Sequence, residues 1–158
     1  MDATDVKIIN CLIENARINL TDLAAKAHLS VSATSERVRK LESDGIISRY
    51  SAVINYDRLG YDVTAYMDVI LDDPAFKENI ISFAAGNPDI VECDYVAGDY
   101  DFLLKISTRN TRTLEHLLTS VRALKGVGRT RTTLVLSNHK QAFSPILTYT
   151  NKTVEKQK

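Results

Sequence analysis

The strongest constraint on this chain is a rhythm. Between residues 61 and 138, runs of alternating apolar and polar side chains take turns with runs of helical period. "YDVTAYMDVIL" (61–71), rich in aromatic and β-branched residues, reads as a strand. "DPAFKENIISFAAG" follows as a helix, with Pro74 suited to its first turn and Phe76, Ile80, Phe83 and Ala84 forming one stripe. "DIVECDYVAG" and "YDFLLKIST" are two further strands joined by a Gly-Asp turn. "NTRTLEHLLTSVRALKG" is a second amphipathic helix, with Leu114, Leu117, Leu118, Val121 and Leu124 on its inner face. "GVGRTRTTLVLS" closes the run as a strand in which Thr130, Thr132 and Leu134 alternate with Arg131, Thr133 and Val135. The order β-α-β-β-α-β is the ferredoxin-like arrangement. Four strands with both helices on one face leave the other face uncovered, so self-association into a dimer is the economical expectation.

The first 45 residues have a different period and read as three short helices. Asp2 can cap the first, with Asp5 three residues on, and Ile8, Ile9, Leu12, Ile13 and Ala16 share a stripe. Asn19 caps "LTDLAAKAH", in which Leu20, Leu23, Ala24 and Ala27 face inward. His28-Leu29-Ser30 is a tight connection, and Ser30 caps the third helix, whose buried side carries Val31, Thr34, Val38 and Leu41. Gly45, which takes positive φ at no steric cost, stops it. "IISRYSAVI" then reads as a strand leading away.

The third helix opens on Ser30, Ser32, Thr34 and Ser35, poor residues for a helix interior because their hydroxyls compete for backbone hydrogen bonds. Two short helices with a tight turn, braced by a preceding helix, are the parts of a helix-turn-helix. In that setting, small side chains let the helix N-terminus enter the major groove, and their hydroxyls meet base edges and phosphates. Ser32, Ala33, Glu36, Arg37 and Lys40 cover the outward surface. The candidate DNA contacts are Ser30, Ser32, Ala33, Thr34, Glu36, Arg37, Arg39 and Lys40. Spacing alone leaves a second reading open, because three-helix units with polar outer faces also pack against other domains.

Bulk charge does not decide between them. With 20 basic and 20 acidic residues the chain is neutral, so a nucleic-acid reading has to rest on local arrangement. Residues 61–138 carry 8 basic and 11 acidic side chains, whereas 139–158 carry 4 and 1, which makes the tail basic. No apolar run approaches the roughly 18–20 residues that cross a bilayer, and "MDATDVK" lacks the basic and apolar segments of a signal peptide. Cys11 and Cys93 stand apart, without metal-binding or disulfide spacing, so a reduced cytoplasmic setting is expected.

With both halves in view, the sequence resembles the Lrp/AsnC (leucine-responsive, or feast/famine) transcription regulators over roughly residues 2–138. The N-terminal half carries the family's Asp-x-x-Asp, the Ala-Arg-Ile before helix two, Arg-Val-x-x-Leu-Glu in the third helix, and Gly-Ile-Ile-x-x-Tyr. The C-terminal half carries "GDYDFLLKI" and "GVGRTRTTLVL". The resemblance implies an α+β protein with an N-terminal winged helix-turn-helix and a C-terminal ferredoxin-like effector and oligomerisation domain. Its partners would be double-stranded DNA, further copies of itself (a dimer, then a tetramer or octamer) and a small-molecule amino acid bound where dimers meet. Carried over residue by residue, the effector turn is Gly98, Asp99, Tyr100 and Asp101, with Thr130 and Thr132 on the last strand. A carboxylate suits an α-ammonium, while backbone N–H groups and hydroxyls suit an α-carboxylate. On the residues alone, Gly98-Asp99 is equally a hairpin turn, and Asp101 a charge blunting a sheet edge.

The expected organisation is a helix-turn-helix domain at 1–46, a strand-containing linker at 47–60, the ferredoxin-like domain at 61–138, and a C-terminal strand or flexible tail at 139–158. Val31 stands where many relatives place proline. "HKQAFSPILTYTNKTVEKQK" exceeds what the pattern needs; "ILTYT" is a candidate strand and the end a candidate solvated tail. Two other function classes compete with this one. One is a metabolite-sensing adaptor without specific DNA function. The other is an enzyme using Asp94, Asp99 and Asp101, but His28, His116 and His139 sit in separate elements and no nucleophile-base or phosphate-loop motif accompanies them. No cofactor, metal site or catalytic residue is expected.

Overall fold

Local capping decides where the N-terminal helices begin. The computed structural model describes residues 1–149. Helix α1 (Ala3–Glu14) starts on a capping box: Asp2 accepts from the Asp5 N–H at 2.8 Å, and Asp5 accepts from the Asp2 N–H at 2.9 Å. Helix α2 (Leu20–Ala27) is capped by the Asn19 side chain on the Asp22 N–H and ends at His28 in the left-handed conformation. Helix α3 (Val31–Ser43) is capped by Ser30 on the Ala33 N–H, and Gly45 follows at φ 70°. Ile8, Ile9, Cys11, Leu23, Ala27 and Leu41 form the buried centre of this unit. Two expected inward residues are not inward: Leu20 and Val31 are 41% and 44% exposed. Each is the first residue of its helix, where no neighbouring turn covers the side chain.

The strand expected over "IISRYSAVI" is absent, and the 47–60 segment holds one turn of 3₁₀-helix at Asp57–Leu59. A strand exists only as one side of a ladder, and among the described residues none pairs with this segment. Ile46, Tyr50, Val53 and Ile54 are left exposed.

The second half realises the expected order. Strands β1 (Val63–Leu71), β2 (Ile90–Tyr95), β3 (Phe102–Thr108) and β4 (Val127–Leu134) pair in the order β2-β3-β1-β4, all antiparallel. Helix α4 (Lys77–Gly86), entered through a 3₁₀ turn at Pro74–Phe76, and helix α5 (Thr111–Arg122) pack on one face. Ala65, Met67 and Val69 of β1 and Phe102, Leu104 and Ile106 of β3 meet Ile80, Leu117 and Val121 there, all but fully buried. Register then fixes the opposite face. Thr64, Tyr66, Asp68 and Ile70 alternate with that buried set, and Leu103, Lys105 and Arg131 stand across from them.

The chain divides into two compact units, Met1–Val53 together with the segment from Lys140 onward, and Ile54–His139. The tail is therefore part of the helical unit. "ILTYT" forms no strand up to Tyr149; Leu147 packs instead against the helical core. The expected solvated end lies outside the described residues.

Candidate nucleic-acid interface and ligand site

At 100° per residue, the buried direction of α3 is set by Thr34, Val38 and Leu41. Ser32, Glu36 and Arg39 point the opposite way, with Ala33, Arg37 and Lys40 on the flank toward α1. Ser32, Glu36, Arg39 and Lys40 are exposed, Ala33 is half-buried, and Ser30 sits at the cap with its hydroxyl 3.1 Å from that of Ser32. The outward edge is therefore short hydroxyls at the N-terminal end, then mixed charge. Its electropositive N-terminus and small side chains suit close approach to a phosphate backbone.

Two of the expected contacts are otherwise engaged. Thr34 is a correction: it is 0% exposed, and its hydroxyl donates to the Ser30 carbonyl at 2.9 Å, so it belongs to the core. Back-bonding of this kind satisfies a buried hydroxyl inside a helix without any outside partner. Arg37 donates from Nη1 to Asp2 at 2.8 Å and to Asp5 at 2.7 Å. The Asp2 carboxyl is held below its usual value by the Asp5 N–H and then by Arg37, and the two carboxylates raise the guanidinium's pKa. The same pair of acids thus caps α1 and ties α3 to it. Sequence reasoning found the cap but not the tie, because the partners lie more than 30 residues apart. Tyr50 supplies another tie: though half-exposed as a residue, it donates to Glu42 at 2.8 Å, and partial desolvation of its phenol, then Glu42, push its pKa up to about 12.

In the sheet unit the six expected effector residues are separated. Gly98 adopts φ 152° in the connection between β2 and β3, and Asp99 is exposed beside it. Asp101 turns one carboxylate oxygen to the Leu71 N–H at 2.7 Å, and its own N–H bonds the Val69 carbonyl. That is a cap on the end of β1, between two inner strands and not at a sheet edge as the edge reading expects, and it leaves the second oxygen outside this bond. Tyr100 lies under the Arg131 guanidinium, 4.7 Å from ring centre, while Arg131 Nε donates to Asp68 at 2.8 Å. Arg131 is the member that sequence reasoning missed; its alternation in "GRTRTTL" gives its face but not its partners.

Thr130 and Thr132 pair with Val69 and Met67, whose side chains are buried under the helices. They therefore face away from Arg131 and Tyr100. Thr130 accepts from Arg122 Nε of α5 at 3.1 Å, whereas the buried Thr132 hydroxyl has no hydrogen-bond partner among the described residues. One chain thus puts Arg131 with Tyr100 on the open face and the threonines on the covered one. Among the described residues, no group of three or more His, Cys, Asp or Glu is placed to hold a metal ion, and no helix is long and apolar enough to cross a membrane.

Comparison with known proteins bears on both units. Residues 64–145 match the Lrp/AsnC ligand binding domain, and residues 1–48 match a winged helix-turn-helix DNA-binding family. The chain is similar to the HTH-type transcriptional regulator FL11 of Pyrococcus furiosus, 33% identical over 141 residues that cover 89% of this chain and 93% of the relative. Its fold is similar to a transcriptional regulator from Neisseria meningitidis solved as an L-Met complex, with a TM-score of 0.87, 25% identity and coverage of 92% and 96%. It is also similar to a feast or famine regulatory protein from M. tuberculosis complexed with L-methionine, with a TM-score of 0.85, 32% identity and coverage of 92% and 99%.

Proposed function

The chain belongs to the Lrp/AsnC family and is a DNA-binding transcriptional regulator of that type, and from this we propose that it reads a partly palindromic site and answers to an amino acid bound on its sheet unit. The observation that carries the DNA half is α3 itself. Its inner side is made by Thr34, Val38 and Leu41, its N-terminal cap is made by Ser30, and Ser32, Ala33, Glu36, Arg39 and Lys40 are presented together. Arg39 and Lys40 contact phosphates, Ser30, Ser32 and Ala33 approach base edges, and Glu36 selects against wrong neighbours. Arg37 acts at one remove, by fixing α3 against α1.

The effector half rests on the glycine-acid turn. Asp99 and the outer oxygen of Asp101 pair with an α-ammonium, while Tyr100, held by Arg131, forms a wall of the site. The opposed faces of Arg131 and the threonines mean that one chain cannot bring all six residues to one ligand, so a shared site would take the half-buried Thr130 from a neighbouring chain, while the buried Thr132 hydroxyl supports the strand from behind. The open sheet face, with Tyr66, Ile70 and Leu103 among its ion pairs, is the surface proposed for the dimer. The two similar regulators solved with L-methionine support an amino acid as the ligand class. Ligand binding where copies meet shifts assembly, and so changes how many half-sites are held at once. The protein works in the cytoplasm by binding alone, without cofactor, metal or catalysis.

Two measurements test this. Binding to the gene's own upstream region at physiological salt should exceed binding to a shuffled fragment; equal affinity refutes specific regulation and favours the adaptor reading. Thermal unfolding against each of the twenty amino acids should give a clear responder. A ligand at 100 times its dissociation constant adds roughly 2.7 kcal/mol, which raises the midpoint by several degrees. Asp99→Ala should abolish that shift; no response to any amino acid refutes the effector class.

A further inference from the structure

Asn10 sits in the most apolar stretch of α1, between Ile8-Ile9 and Cys11-Leu12, where a polar amide of modest helix propensity has no evident place. Its side chain is used up by one backbone residue far along the chain. Nδ2 donates to the Leu147 carbonyl at 2.9 Å, and Oδ1 accepts from the Leu147 N–H at 2.8 Å. This two-point grip is what one strand residue offers another, made here by a helix side chain. The Leu147 side chain completes it by packing against the core of the helical unit, while Ile146 and Tyr149 on either side stay exposed.

We propose that Pro145–Tyr149 is a strap that completes the DNA-binding unit and sets the position of its recognition helix. The strap holds α1 at Asn10. At its N-terminal end, α1 holds α3 through Asp2, Asp5 and Arg37. Strap, α1 and α3 form one connected line inside a single unit, and the chain reaches the strap through residues 140–144, which follow the end of the sheet unit at His139. The DNA-binding unit is therefore built from both ends of the sequence, and residues following the last strand belong to it. This inference rests on α3 being the helix that meets DNA.

The experiment compares the full chain with deletions of 145–158 and of 150–158, and with the single variants Asn10→Ala and Leu147→Ser. Amide hydrogen exchange is followed across α1, with α5 as internal control, together with affinity for the upstream region as a function of salt. Losing the strap should speed exchange along α1 by about tenfold or more, leave α5 unchanged, and weaken DNA binding several-fold at an unaltered salt slope. Deleting 150–158 should change neither. Asn10→Ala is the sharper variant, because alanine by itself strengthens a helix and would slow exchange. Unchanged exchange in α1 would overturn the docking, and faster exchange with unchanged affinity would overturn the positioning role. A shallower salt slope would overturn it too, by making the tail a phosphate contact. If the intact protein bound no DNA, the DNA reading would fall while α1 exchange still reported whether the strap docks.

Discussion

Thr34 separates a core residue from a DNA contact, and two substitutions at that position do so quantitatively. Thr34→Val keeps the shape and removes the hydroxyl. The lost bond to Ser30 is worth about 0.5–1.5 kcal/mol, and the methyl put in its place returns about 0.8 kcal/mol on burial. The Ser30 carbonyl is not orphaned, because the Thr34 N–H already donates to it at 3.0 Å. The net change should therefore stay within about 0.7 kcal/mol. Thr34→Ala loses the bond and the buried methyl and leaves a small cavity, offset in part by better helix propensity, for a cost of about 1–2 kcal/mol. In a unit this size that lowers the midpoint by roughly 5–15 °C. Calorimetry reads the stabilities, and fluorescence anisotropy with the upstream fragment reads DNA affinity well below either midpoint. Thr34→Val should match the parent in both. A Thr34→Val variant of normal stability that had lost tenfold in DNA affinity would refute the assignment and put the hydroxyl at the interface.

On α3, Arg39→Ala should weaken binding and reduce the salt slope by about 1, as a lost phosphate contact does, while Arg37→Ala should weaken binding with the slope unchanged. Salt titrations of the two variants side by side check this. Gly126 stands at φ 93°, and a Cβ there would collide with the Phe76 side chain, so Gly126→Ala should cost more than the roughly 1–2 kcal/mol of left-handed strain alone. Thermal unfolding would show it as a drop in the sheet unit's transition. Tyr50 is raised in the folded state to about 12 from 10.0, so it favours folding below pH 10 and loses that contribution as pH rises through 10 to 12. Absorbance titration of the parent against Tyr50→Phe should reveal one phenol ionising late, and Tyr50→Phe should flatten the stability loss in that window.

What the sequence disclosed follows the range of the interaction concerned. Asp2, Asn19, Ser30 and Gly45 were all legible, because a cap is made within four residues. The stripes of α4, α5 and the four strands were legible because one buried face imposes one period. Leu20 and Val31 misled for a related reason: periodicity assigns a direction but not a covering neighbour. The missing strand at 46–54 has the composition of a strand and no ladder, and composition is silent about partners. Arg37 with Asp5, Arg131 with Asp68, and Asn10 with Leu147 are each separated by 32 residues or more. In each pair, one residue of ordinary type becomes informative only when the fold supplies the other. Asn10 had left a trace, a lone amide in an apolar run, which asks for a partner without naming it.

The electrostatics of α3 connect the proposed DNA interface to the proposed assembly. Of its cations, Arg37 is committed to Asp2 and Asp5, which leaves Arg39 and Lys40 exposed with Glu36 beside them. If Arg39 and Lys40 each neutralise one phosphate, as proposed, α3 contributes a salt slope near −2, far shallower than that of regulators making six to ten such contacts. A single unit of this neutral chain would therefore hold DNA weakly at physiological salt. Linking units changes the arithmetic without any new contact, because the second engages at an effective concentration set by the linkage. Affinity is then governed mainly by how many units an assembly presents. On the proposed reading, a ligand placed where copies meet would act on that number, which would give it more leverage over DNA occupancy than an equal change in any one contact on α3 could supply.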